Sequence, residues 1–243
     1  MTLVQGGRAT LVQGDEEMKK WEKLPERFHN DSVREYYDIL AKRGVSLAIK
    51  RIFDVITALI ITVLVLWLMI IIAVWIKLDS RGPVFFRQRR VTTYGKVFYI
   101  YKFRTMVTDA EKLGSQVTVG NDSRVTGAGR FLRKCRLDEL PQLFNVLKGE
   151  MSFVGTRPEV ERYVDRYTDE MTATLLMPAG ITSLASIKFK DEDRMLEGAT
   201  DVDETYVKDV LPQKMAYNLE YIRKFNFFYD IKLMFMTFFA VLK

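Results

Sequence analysis

The chain has 243 residues, 48% of them apolar, enough for one sizeable domain or for a domain with an appendage. Its 37 Lys and Arg against 31 Asp and Glu give a formal charge of +6, with one His, His29, and one Cys, Cys135. That scarcity excludes an intramolecular disulfide framework, a Cys/His zinc site within one chain, and a Ser-His-Asp triad unless His29 is its base. Carboxylates, Lys, Arg and an oxygen-held metal ion remain to carry any chemistry.

Residues 1–47 read as a polar N-terminal extension, mixed in charge and loosely held, with short helices predicted over 16–24 and 32–40. Residues 48–78 form a predicted membrane helix. Within it, 55–76 carry no charge, and 22 helical residues span roughly 33 Å against a hydrocarbon core of about 30 Å. The segment is apolar all round, with only Thr57 and Thr62 as mild exceptions. Lys42, Arg43, Lys50 and Arg51 precede it, and Lys77, Arg81, Arg87, Arg89 and Arg90 follow. Basic residues at both ends fit a helix that enters and turns back, with both ends on the cytoplasmic side. A single span with a few basic residues stranded outside fits the same charges.

Residues 79–243 form the third predicted unit. Asp79-Ser80-Arg81-Gly82-Pro83 reads as a turn, and β-rich runs over 84–88 and 97–101 flank Tyr94-Gly95-Lys96, so a β-hairpin is expected. Residues 131–147 have helical spacing interrupted by Pro141, which predicts two pieces or a kink. Further helices are predicted over 159–177, 215–225 and 229–242. The expected fold class is therefore α+β: a mostly helical domain with a small β-hairpin sheet, one hydrophobic membrane helix, and helices suited to the membrane interface. The positive charge is local. Residues 77–136 hold 14 Lys or Arg against 4 Asp or Glu, a net of +10, so the rest of the chain sums to −4. Such a zone favours anionic headgroups, phosphates or nucleic acid, and equally a plain positive flank without a ligand.

Three clusters can do chemistry. In Arg136-Leu137-Asp138-Glu139-Leu140-Pro141, two adjacent carboxylates on a helix can border one site within reach of Arg133. A carboxylate beside basic groups stays ionised, available as a nucleophile or magnesium ligand. In Phe153-Val154-Gly155-Thr156-Arg157-Pro158, Gly and Pro fix the backbone around one Arg, which suits bidentate phosphate binding. In Tyr101-Lys102-Phe103-Arg104-Thr105-Met106, Lys102 and Arg104 would share a sheet face that could serve a diphosphate. Each cluster could equally be a solvated surface or a turn. Cys135 reads as helix packing, and His29 is given no role.

In this order, Lys50-Arg51-Ile52-Phe53-Asp54, Gly82-Pro83-Val84-Phe85-Phe86-Arg87-Gln88, Tyr101-Lys102-Phe103-Arg104-Thr105-Met106, the run over 137–152 and Phe153-Val154-Gly155-Thr156-Arg157-Pro158 resemble the bacterial sugar transferases. These are the monotopic polyprenyl-phosphate phosphoglycosyl transferases, and the resemblance covers about residues 48–243. It implies transfer of a sugar-1-phosphate from a UDP-sugar to polyprenyl phosphate with release of UMP, starting glycan assembly at the cytoplasmic face of the bacterial inner membrane. It implies Asp138 as nucleophile and part-holder of Mg2+, and Glu139 as its assistant. Lys102, Arg104, Arg133, Thr156, Arg157 and Pro158 would line the substrates. The implied partners are the donor, the lipid acceptor and membrane lipid; nucleic acid is not expected, and a homo-oligomer is allowed. The family's helix is re-entrant, broken at a Ser-Pro pair where this chain has Leu66-Trp67; with basic residues on both flanks a re-entrant helix is expected here too, a single span being the alternative. The chain also reads Thr156-Arg157-Pro158 for Pro-Arg-Pro, lacks the Arg of Arg-Pro-Gly-Ile-Thr-Gly at Pro178-Ala179-Gly180, and has Asn218 where relatives often carry Asp. A rival reading from another class is a membrane-tethered binding module without chemistry.

Overall fold

The computed structural model describes residues 18–110, 122–189, 195–196 and 201–242. Helix α1 (Asp31–Ala41) starts at Asn30, whose side chain accepts from the Val33 amide at 2.9 Å. Val33, Tyr36 and Leu40 share one face and are buried, with Leu24 and Phe28 ahead of them, against Leu176, Ile222 and Phe225. The extension is thus not loosely held: from residue 18 onward it is part of the core, while residues 1–17 lie outside the described part. Of the helix expected over 16–24, the described residues show a 3-10 turn, Trp21–Lys23.

Helix α2 (Gly44–Asp79) is 36 residues long and runs unbroken through Leu66-Trp67. No proline removes a backbone bond there, so nothing turns the helix back. Its length is roughly 54 Å. Lys50, Asp54, Ala58, Met69, Ile72 and Ile76 are buried on one face, and the domain lies along that face from end to end. Ile52, Ile56, Leu59, Val63, Trp67, Ile70, Val74 and Leu78 are exposed.

Strands β1 (Phe85–Val91) and β2 (Val97–Phe103) form the expected antiparallel hairpin, from Phe85 opposite Phe103 to Val91 opposite Val97. Its turn uses positive φ at Tyr94 and Gly95, 58° and 76°. The hairpin's inner face sends Phe98 and Ile100 to α2 and to α4 (below), and Phe103 packs with Met69, Ile72 and Ile76. Helix α3 (Gly127–Lys134) is capped by Thr126, a 3-10 turn follows at Leu137–Glu139, and α4 (Gln142–Leu147) starts just after Pro141, which divides the segment as its ring requires. Buried Asn145 completes the edge of β2. Its side chain accepts from the Tyr101 amide at 3.0 Å and donates to the Tyr99 carbonyl at 2.8 Å.

Strand β3 (Met151–Val154), helices α5 (Glu161–Val164) and α6 (Asp169–Thr172), strand β4 (Ala179–Thr182) and helix α7 (Leu184–Lys188) follow. The single helix expected over 159–177 is broken: α5 stops at Val164, and Thr168 caps the start of α6. β3 and β4 form a second, parallel pair that was not expected. Their ends cross closely at two glycines: a Cβ on Gly155 would meet the Pro178 carbonyl at 2.2 Å. Helix α8 (Val202–Thr205) runs through a π-turn at Tyr206–Val210 into α9 (Leu211–Lys224), and α10 (Phe227–Leu242) ends the description. The fold is mostly helical α+β with one long apolar helix, as expected.

At the start of α2, Lys50 and Asp54 are fastened inward. Lys50 Nζ lies 2.7 Å from Asp230 of α10 and donates to the Val154 carbonyl at 2.6 Å, and Asp54 accepts from Ser152 Oγ at 2.6 Å. The apolar helix is therefore pinned to β3 and α10 by buried charge.

Candidate active site

α3 ends at Lys134, and Arg136 then adopts φ 56° and ψ 19°, a left-handed conformation costing about 1–2 kcal/mol for an L-residue. The turn reverses the chain so that Leu137 and Leu140 pack toward the α2 end of the core while Asp138 and Glu139 face the hairpin. The two carboxylates thus sit on a 3-10 turn rather than an α-helix, and both border one site.

Asp138 is buried, and its Oδ1 has no hydrogen-bond partner among the described residues. Burial pushes its pKa up and the neighbouring Glu139 charge adds to this, against Lys102, Arg133 and Arg136. Glu139 goes the other way. Burial would raise its pKa, but Lys102, whose Nζ lies 2.9 Å from Oε1, together with Arg136 and Arg157, holds it below the usual carboxylate value. Adjacent carboxyls with pKa values pushed apart are an arrangement that can divide acid–base roles.

Arg133 Nε donates to Thr105 Oγ1 at 3.0 Å, and its charge reaches Asp138. Arg157 is exposed, donates to Ser186 Oγ at 3.1 Å, and its charge reaches Glu139. So Lys102 contacts the Asp138–Glu139 pair directly, and the charges of Arg133, Arg157 and Arg136, the last of which spacing alone did not single out, act on it from other segments. Thr156 and Pro158 frame Arg157: Thr156 is buried with its amide on the Pro178 carbonyl at 3.2 Å, and the Pro158 carbonyl accepts from Arg90 at 3.1 Å.

Arg104 is placed elsewhere. It is buried just beyond β2, and its guanidinium donates to the carbonyls of Ser80 and Arg81, each at 2.7 Å, to Ser80 Oγ at 2.9 Å and to the Ile76 carbonyl at 3.3 Å. It fastens the chain at and just beyond the end of α2 instead of sharing a sheet face with Lys102, because β2 stops at Phe103. Cys135 is exposed rather than packed, and His29 bonds the Trp21 carbonyl at 2.9 Å far along the chain from the carboxylates.

Sequence reasoning missed a second polar cluster behind Arg157. Glu159 and Lys214 are both buried, with Nζ 3.0 Å from Oε1, and Arg90 Nη1 lies 3.9 Å from Oε2. Burial would raise the Glu159 pKa, but Lys214, Arg90 and Arg157 hold it below its usual value. The one signal available was position, since Glu159 directly follows Arg157-Pro158.

Residues 45–243 match the family model described as bacterial sugar transferase. A UDP-N-acetylgalactosamine-undecaprenyl-phosphate N-acetylgalactosaminephosphotransferase of Aeromonas hydrophila is 39% identical over 78% of this chain and 42% of its own length. A UDP-glucose:undecaprenyl-phosphate glucose-1-phosphate transferase of Escherichia coli is 39% identical over 81% of this chain and 40% of its own. One of the same name from Caulobacter vibrioides is 37% identical over 77% of this chain and 67% of its own. The chain spans about two fifths of the length of the first two relatives. With four fifths of its length matched by the family model, the chain belongs to the bacterial sugar transferases.

Proposed function

We propose that this chain transfers a sugar-1-phosphate from a UDP-sugar to polyprenyl phosphate. The observation that carries the reading is the pair itself: a buried Asp138 with an unpartnered oxygen beside an ionised Glu139, with Lys102 in contact and the charges of Arg133, Arg136 and Arg157 acting on the pair. Attack of a carboxylate on a diphosphate brings like charges together, and fixed cations offset that repulsion. In the first step an Asp138 oxygen bonds to the sugar-bearing phosphorus, and the bond to the bridging oxygen breaks, so UMP leaves with that electron pair. In the second, an oxygen of the lipid phosphate attacks the same phosphorus and the Asp138–phosphorus bond breaks, restoring the carboxylate and leaving a polyprenyl diphosphate sugar. Glu139, held ionised by Lys102, takes up a proton from the incoming lipid phosphate.

The residues fit Mg2+. Asp138 offers a carboxylate oxygen without a hydrogen-bond partner among the described residues. Such a site suits an ion that takes one or two protein oxygens and completes its shell from phosphates and water. Bound there, Mg2+ would neutralise diphosphate charge.

The membrane reading follows from the packing of α2. Residues before it (α1) and after it (the hairpin) belong to one body, and the domain lies along its whole inner face. A crossing that put the two ends on opposite sides would drag charged surface through hydrocarbon. A monotopic placement, with the exposed apolar face of α2 and Phe235, Phe238 and Phe239 of α10 in lipid, avoids that. It keeps both ends on one side without the helix turning back; the side we propose is the cytoplasmic face of the bacterial inner membrane, because a UDP-sugar donor is a cytoplasmic nucleotide.

The test is a panel of UDP-sugars scored for UMP with Mg2+ and polyprenyl phosphate. Release from at least one donor is expected, and silence from folded protein on all of them would sink the proposal. A binding module would instead show salt-dependent binding with no need for magnesium. Asp138→Asn should abolish the phospho-sugar adduct seen by intact-protein mass spectrometry; an adduct that persists moves the nucleophile elsewhere.

A further inference from the structure

Residues 154–159 carry Arg157 out from the end of β3, and one stripe of α9 meets them at three points. Tyr221 Oη stands 3.4 Å from the Val154 carbonyl, against which it packs. Asn218 Oδ1 accepts from the Arg157 amide at 3.3 Å. Lys214 Nζ stands 3.0 Å from Glu159 Oε1. Spaced by four and three residues, Lys214, Asn218 and Tyr221 lie on one helical face, in reverse order to the segment they contact.

All three are buried, at 2%, 1% and 0% exposure. Each polar group withdrawn from water costs free energy that a Leu would not, so the stripe is a poor way merely to fill a core. It is a good way to fix the segment at defined points, because polar contacts are directional and packing is not, and at Arg157 the contact is a hydrogen bond from the backbone amide itself. The stripe is itself braced. Tyr221 donates to Asp230 at 2.8 Å, and Lys214 to Tyr206 Oη at 2.5 Å. Across the segment Arg90 holds the Pro158 carbonyl at 3.1 Å.

We infer that Lys214, Asn218 and Tyr221 are positioning residues for Arg157: they set its backbone so that the guanidinium stands beside the Asp138–Glu139 pair, where a donor diphosphate lies. The inference rests on the transferase reading. It assigns part of donor affinity to a helix that contributes no group to the chemistry. Arg157 contacts the donor before and during reaction, so misplacing it raises KM for the UDP-sugar more than it lowers kcat.

Asn218 offers the sharpest test. Asn218→Leu keeps the number and branching of heavy atoms and removes the acceptor, while Asn218→Asp keeps the acceptor. Full-chain protein in lipid nanodiscs is assayed for UMP release, with KM for donor and for polyprenyl phosphate measured separately and thermal unfolding as the control for folding. Asn218→Leu is expected to raise donor KM about tenfold while the lipid KM stays within about twofold, and Asn218→Asp to match the parent on both. The pair Lys214→Met with Glu159→Gln, which removes both members of the buried ion pair and leaves Arg90 its bond to the Pro158 carbonyl, is expected to raise donor KM in the same way and serves if the Leu variant does not fold. Folded variants whose donor KM stays at the parent value, with only kcat reduced, would overturn the inference. A parent protein that releases no UMP from any donor would fail first, taking down the transferase reading and this inference with it.

Discussion

A single methyl group at Gly129 would reach the active site. A Cβ there would stand 2.0 Å from the Thr105 carbonyl oxygen, a backbone atom that cannot rotate aside, so α3 would have to lift from the end of β2. Arg133, one turn further along α3, bonds the side chain of the same Thr105. Gly129→Ala should therefore cost about 2 kcal/mol and at least about tenfold in UMP release, read by thermal unfolding and by rate. Glu159 makes a prediction of opposite character. Its folded pKa lies below the ordinary 4.5, so its stabilising effect is full above that value and fades as pH falls through the lower one. Glu159→Gln should be less stable than the parent at pH 7, with the gap closing below about pH 4.5 in a series of melting curves; a constant gap would mean that the carboxylate's charge is not what matters. At this scale the carboxylate pair was one local candidate among three on spacing, and the motif over 137–158 was what singled it out. The role of Arg104 was not legible, because its partners are carbonyls more than 20 residues earlier, and whether they point at it depends on where α2 stops.

Among elements, α1 shows how a correct pattern can lead to a wrong inference. Val33, Tyr36, Tyr37 and Leu40 carry the i, i+3, i+4, i+7 spacing of a one-sided helix, and the helix forms nearly where expected. What spacing cannot show is the face that receives it. Here that face belongs to residues 170–225, more than a hundred positions away, and a thin apolar stripe in a polar segment passes for an extension. Leu40 is fully buried, so Leu40→Ala should cost about 3 kcal/mol and lower the melting temperature by roughly 6–12 °C. A loosely held segment would tolerate it without change. The parallel pair β3–β4 escaped notice for a related reason: four-residue strands buried on both sides do not alternate, and their pairing is made by the close approach of Gly155 and Gly180.

For the whole molecule, the basic residues flanking α2 acquire a different meaning. As sequence they were a topology signal. In the structure Arg43 caps the carbonyls of Ile222, Arg223 and Phe225, Lys50 pairs with Asp230, and Arg51 donates to the Val146 carbonyl at 2.8 Å. These charges hold the body to the start of α2, while Arg104 and the hairpin hold it to the other end. The basic residues before α2 are thus explained by the body gripping the helix start, while the far grip is made by Arg104 rather than by the flanking residues 77–90, and a topology in which the ends part company would have to break both grips. This is testable with single cysteines in a Cys135→Ser background, since Cys135 is the chain's one native cysteine. Lys20→Cys lies before α2 and Lys148→Cys after it, both at exposed positions. In intact cells a membrane-impermeant maleimide should label neither, and after permeabilisation it should label both. Labelling of Lys20→Cys alone from outside would mean a spanning helix, and the packing of α1 against α9 could not then describe the protein in its membrane.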